Sequence, residues 1–273
     1  VTARLAAIAA FVPQSARVAD IGSGHGQLPL ELLGSGRASW CVATDTDAAS
    51  LDALARAAAR FPLRLEVRTG DGLEALEPSD RIEVAVIAGM GARRICRILA
   101  SSRRPALGIR RFVLAPQAEP ALLRGWLLDR GLRIVEEALV EEKGRFYPVI
   151  AAEPGEPGDL LAHPRLAPEE LLEAGPCLVR TPNPTLLRYW QGQQERLEGI
   201  LRSLPPGGRA ARAASALARA RRIVGELAGT GSSRRPVRSS LGYRSRPDGP
   251  EGSAGGRLEH HRASSSTVLG RSS

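Results

Sequence analysis

The sequence predicts an α/β fold: a mostly parallel seven-stranded sheet wrapped by helices, closed by a terminal antiparallel hairpin and followed by a C-terminal helical hairpin. Three observations predict it. Apolar strand-like runs alternate with amphipathic helical stretches over the first 152 residues, the pattern of a parallel sheet covered on both faces. The last two runs are joined by a short Glu-rich turn holding Lys143 and Gly144, too short for a crossover helix, so they must pair antiparallel. Beyond Pro154 and Pro157 the pattern changes to long helical stripes.

Taken in order, Val1 to Phe11 reads as an amphipathic helix ended by Pro13. Strands are expected at Arg17–Ile21, Trp40–Thr44, Leu63–Arg68, Ile82–Ile87, Arg111–Leu114, Leu132–Leu139 and Arg145–Ala151. Helices are expected at Leu28–Leu33, Ala48–Arg60, Arg93–Ala100 and Pro120–Arg130. The first four strands are dense in apolar and β-branched residues, as strands buried on both faces require. Residues 1–155 thus form one domain, and 156–182 a Pro-containing connector. Residues 183–228 form the helical hairpin. Leu186, Leu187, Trp190, Leu197, Ile200, Leu201 and Leu204 make one stripe, Pro205-Pro206-Gly207-Gly208 breaks it, and Ala213, Leu217, Ala220, Val224 and Leu227 make the second. Ser, Gly, Arg and Pro dominate 229–273, which reads as a disordered basic tail.

The 273 residues suit one medium domain with an appendage, and no apolar run reaches the ~18 residues of a membrane span. The apolar N-terminus lacks a basic leader and a cleavage site, which points to the cytoplasm, and Val1 suggests a trimmed start. Cys41, Cys96 and Cys177 form no CxxC pair and no metal-binding spacing, so no metal is expected. Residues 1–201 hold 24 basic and 25 acidic side chains, whereas 202–273 hold 14 arginines against 4 acids. A basic appendage on a near-neutral domain fits a polyanionic partner, nucleic acid first, or else a merely solubilising tail. The oligomeric state is left open, a monomer included.

The strongest site signal is Val18-Ala19-Asp20-Ile21-Gly22-Ser23-Gly24-His25-Gly26. A strand enters a glycine-rich turn, which lets a ligand approach the backbone, and the amides of the next helix face that ligand. Nicotinamide and flavin proteins use similar loops. Asp20 at the strand end decides against them, because a carboxylate there repels a pyrophosphate but pairs with the ammonium of S-adenosylmethionine. The terminal hairpin points the same way, to a Rossmann-like class I methyltransferase. Candidate cofactor ligands are Asp20, Gly22, Ser23 and Gly24; Asp45 for the ribose hydroxyls; Asp71 and Gly72 for the adenine end; and Ala88. Asp47 reads as a helix cap. Gly89, Met90 and Gly91 close the fourth strand and leave room for a flat target base. His25 and Gln27 are candidate substrate contacts, although a lone loop histidine is more often structural. Arg93, Arg94 and Arg97, with Arg103 and Arg104 beyond, suit phosphate contacts or a solvated helix face.

At these residues the chain resembles the bacterial tRNA (adenine-22-N1)-methyltransferase family. The resemblance rests on Arg4-Leu5, on Ala19 to Ser23 with His25 and Leu28-Pro29, and on Ile87-Ala88-Gly89-Met90-Gly91. It continues through Leu114 with Pro116, the Leu122–Gly131 helix with Trp126, and Gly175-Pro176 onward to Trp190. It implies a Rossmann-like catalytic domain, a helical appendage that helps to hold tRNA, and methyl transfer from S-adenosylmethionine to N1 of adenine 22. The chain departs from the family pattern at Gly24, Gln27, Ala115 and Gln117. Two alternatives stay open: a class I methyltransferase acting on a protein or small molecule, and a binder of tRNA and cofactor that has lost its chemistry.

Overall fold

A computed structural model describes residues 2–58, 64–101 and 104–231. Seven strands form one sheet: β1 (Ala16–Ile21), β2 (Ala38–Asp45), β3 (Leu65–Thr69), β4 (Val84–Ala88), β5 (Arg111–Ala115), β6 (Leu132–Glu142) and β7 (Arg145–Pro154). Their order is β3-β2-β1-β4-β5-β7-β6, with β1 to β5 parallel and β7 antiparallel to both neighbours. The order reverses between β1 and β4, and the strand ends open a crevice there. The hairpin expected from the Lys143-Gly144 turn is present and longer than the sequence suggested. Both residues have positive φ, and β6 carries a bulge between Ile134 and Glu136.

The helices α1 (Ala3–Ala10), α2 (Gln27–Gly34), α3 (Ala48–Ala58), α4 (Ala92–Leu99), α5 (Arg104–Leu107) and α6 (Pro120–Asp129) accompany the sheet. One apolar cluster joins Ile87, Ile95, Leu99, Phe112, Leu114 and Leu127; another joins Ile8, Val18, Leu32, Val86, Val113 and Val149. Alternate residues of β4 and β5 enter different clusters, because successive strand side chains point to opposite faces. The expected strand start Leu63, the helix end Arg60 and Arg103 lie outside the described residues.

The stretch 156–182, expected as a plain connector, contains two short helices, α7 (Pro168–Ala174) and α8 (Pro176–Arg180). Each starts on a proline, whose fixed φ and missing N–H suit a first helical turn. The long pair follows as α9 (Pro184–Ser203), capped by Asn183 Oδ1 on Leu186 N at 2.9 Å, and α10 (Gly208–Gly231). Leu171, Leu178, Leu186, Trp190, Ile223 and Leu227 form their shared core. Helix α10 ends at Gly231, a little beyond the expected boundary; residues 232–273, the expected tail, lie outside the described residues.

A buried ion pair joins the sheet to this appendage. Arg124 of α6 donates to Glu137 of β6 at 2.6 Å, both side chains at most 2% exposed. Arg124 also donates to the carbonyls of Leu172 and Glu173, and Glu137 accepts from the Cys177 amide. Among the described residues no helix is long and apolar enough to cross a membrane.

Candidate active site

Two cavities of about 360 and 280 Å³ meet at the β1/β4 reversal, sharing Gly22, Ala88 and Gly89. The larger also takes Arg4, Asp20, Ser23, His25, Gln27 and Glu142; the smaller takes Asp45, Asp71, Gly72, Met90 and Arg94. The crevice therefore gathers nearly every candidate site residue. Gly24, Gly91 and Arg93 line neither cavity, and Arg97 lines a third beside Asp71 and Gly72.

The glycine-rich turn is built by backbone geometry. Gly22, Gly24 and Gly26 have φ of 74°, 53° and 70°, a region that side chains with a Cβ enter only with strain. The amides of Gly22 and Ser23 donate to the Thr44 carbonyl at 2.8 and 2.9 Å, pinning the turn to β2. Gly26 caps α2 with no side-chain acceptor, so no side chain competes for the first amides of that helix. At Gly22 a Cβ would stand 2.1 Å from Met90 Cε, so the methionine methyl lies over the space a side chain would take.

The carboxylates divide into distinct roles. Asp20 is 4% exposed and has no basic partner among the described residues. Burial pushes its carboxyl up to about 6; the Ser23 hydroxyl opposes the rise and the charge of Asp45 adds to it. A buried, unpaired carboxylate facing a cavity is a place for a cation, and the ammonium of S-adenosylmethionine fits it. Asp45 braces the loop: one oxygen accepts from Gly24 N at 2.8 Å, the other from Asp47 N at 3.1 Å. Each oxygen keeps a lone pair for a hydroxyl donor. Asp47 caps α3 through Ala49 N, Ser50 N and Ser50 Oγ. Asp71 stands exposed at the rim.

Arg93 is committed elsewhere, donating twice to Glu119 at 3.0 Å, whereas Arg94 faces the crevice. Three residues have a place in the site that motif reasoning missed. Arg4 N donates to Glu142 Oε2 at 2.9 Å, and the Arg4 guanidinium stacks on Tyr147 and reaches within 3.6 Å of where a Gly89 Cβ would stand. That amide holds the Glu142 carboxyl below its usual range. The backbone N–H of Gln117 donates to the Met90 carbonyl at 2.8 Å. Arg4 carried a sequence signal in the Arg4-Leu5 pair and Gln117 one as a departure from the family pattern; Glu142 carried none.

The TrmK family model, tRNA (adenine(22)-N(1))-methyltransferase, matches residues 18–225, across both the sheet and the appendage. The chain belongs to this family. The tRNA (adenine(22)-N(1))-methyltransferase of Bacillus subtilis is 30% identical over 199 residues, 72% of this chain and 82% of that one. Its crystal structure superposes with a TM-score of 0.70 at 25% identity, covering 84% and 97% of the two chains. Streptococcus pneumoniae Sp1610, solved in complex with S-adenosyl-L-methionine, gives 0.71 at 30% identity, covering 82% and 99%. Family membership thus extends through the helical pair, and the fold is that of a Rossmann-like class I methyltransferase.

Proposed function

We infer that this chain is a cytoplasmic enzyme that transfers a methyl group from S-adenosylmethionine to N1 of adenine 22 in tRNA. The observation that carries the reading is the family match, which spans the crevice and the appendage together. When bound, the cofactor supplies a methyl group already activated on a sulfonium sulfur.

The protein's work is then positioning and electrostatics. Asp20 takes the ammonium, the α2 amides face the polar methionine end, and Asp45 and Asp71 meet the ribose and adenine. N1 of adenine carries its own lone pair, so no strong base is required. That edge is engaged in pairing, so the base must leave the helix to enter the crevice. Gly89, Met90 and Gly91 leave space for it beside β4, and His25 and Gln27 contact it from the α2 side. Methylation at N1 makes the base cationic, and Asp20 and Glu142 border the same cavity with negative charge. Arg94 and Arg97 hold phosphates at the mouth.

The test is nucleoside mass spectrometry of unmodified tRNA incubated with the protein and S-adenosylmethionine, with Asp20→Ala alongside. New 1-methyladenosine at position 22, absent with the variant, is the expected result. Methylation elsewhere, or none from protein that binds the cofactor, overturns the reading.

A further inference from the structure

A cavity of about 200 Å³ lies across the seam between the sheet and the appendage, outside the crevice. Its walls come from the loop after β5, the β6–β7 hairpin and helices α7 to α9, and they include Gln117, Phe146, Tyr189, Gln193 and Arg196. Phe146 meets Tyr189 edge-to-face at 5.3 Å, and Trp190 braces Tyr189 from another side at 5.5 Å. The aromatic surface is therefore fixed in place before any ligand arrives. Burial raises the Tyr189 phenol above its usual range, so the ring is neutral at physiological pH. The side-chain amides of Gln117 and Gln193 and the guanidinium of Arg196 have no hydrogen-bond or ion-pair partner among the described residues.

We propose that this cavity is a second nucleobase subsite, which holds a base of the RNA next to the target adenine. The proposal rests on the functional reading above. A preformed aromatic ring, two free amides and an unpaired guanidinium are the chemistry of base capture: stacking, edge hydrogen bonds and a phosphate contact. The cavity also adjoins the crevice through one residue. Gln117 lines it, donates its backbone N–H to the Met90 carbonyl, and places its side-chain Nε2 3.9 Å from where a Gly89 Cβ would stand. A base held here fixes the strand one step from the methyl-transfer position. The appendage then reads a base, beyond supplying charge: several of its arginines are already neutralised, with Arg219, Arg221 and Arg222 paired to Glu173, Glu198 and Glu170.

The test uses the full chain and tRNA transcripts in which each nucleotide flanking the target adenine is made abasic in turn. Tyr189→Ala is expected to weaken tRNA binding and raise KM about 5- to 150-fold, the loss of one base–aromatic stack. Tyr189→Phe keeps the ring and should restore wild-type binding; Gln193→Ala, at a half-buried position of α9, should show a smaller loss in the same direction. One abasic position should abolish the difference between wild type and Tyr189→Ala, which marks the captured base. Calorimetric binding of S-adenosylmethionine should be unchanged in all three variants. If wild type methylates tRNA while Tyr189→Ala and Gln193→Ala, folded and cofactor-binding, bind every transcript as wild type does, the subsite is wrong and the function stands. The subsite is equally refuted if the Tyr189→Ala loss is the same at every abasic position. If wild type neither binds nor methylates tRNA, the functional reading fails first and the subsite falls with it.

Discussion

Replacing Asp20 by Asn should make the cofactor-free protein more stable while it abolishes cofactor binding. The carboxyl is 4% exposed, and burial raises it from the usual 3.8 to about 6. An acid raised in the folded state binds its proton more tightly folded than unfolded. Stability is therefore lost as pH rises from about 4 to about 6 and stays lost above that. The difference corresponds to about 3 kcal/mol at neutral pH, which the uncharged, near-isosteric amide does not incur. For a folded unit of this size that amounts to a rise in Tm of roughly 6–12 °C. The assay is thermal and urea denaturation without cofactor, at neutral pH and again below about pH 4, where the advantage should vanish. Isothermal titration with S-adenosylmethionine completes it. A variant that melts at or below the parent at neutral pH, or an advantage that persists in acid, refutes the argument that Asp20 is held ionised against its surroundings to meet a cation.

Three further outcomes are expected. Gly22→Ala places a Cβ at φ 74° against Met90 Cε, so it should cost about 1–2 kcal/mol in denaturation and weaken cofactor affinity more than Gly24→Ala, where no atom lies within 4 Å. Asp47→Ala removes the α3 cap and should cost about 1 kcal/mol in urea melts with little change in tRNA methylation. Arg94→Ala should weaken tRNA binding and lower the salt slope of log K by about one, whereas Arg93→Ala, already paired with Glu119, should change both less.

Much of the architecture was legible because it rests on local rules. The Lys143-Gly144 turn was too short to cross the sheet, which determined the hairpin, and Asp20 stood out because a carboxylate at that strand end repels a pyrophosphate and suits an ammonium group. What escaped were features made by long-range contact. Helices α7 and α8 are short and begin on prolines, so neither shows a periodic stripe long enough to read. Asp45 was read as a ribose ligand, but its grip on the Gly24 amide depends on where two loops meet. Phe146 and Tyr189 sit on a strand and a helix far apart in sequence, and nothing in either segment announces the other. The departure from the family pattern at Gln27 drew attention to the loop, while a fixed aromatic pair stood across the seam.

The Arg124–Glu137 pair bears on how freely such an enzyme can be rearranged. Its two ions come from α6 and β6 of the catalytic domain, but three of their hydrogen-bond partners are backbone groups of Leu172, Glu173 and Cys177. A chain severed near Gly155 keeps both charges and sheds those partners, and an ion stripped of its partners is costly to house. The appendage is thus no detachable module: a lineage could trade it for another RNA-holding element only by changing positions 124 and 137 in the same step.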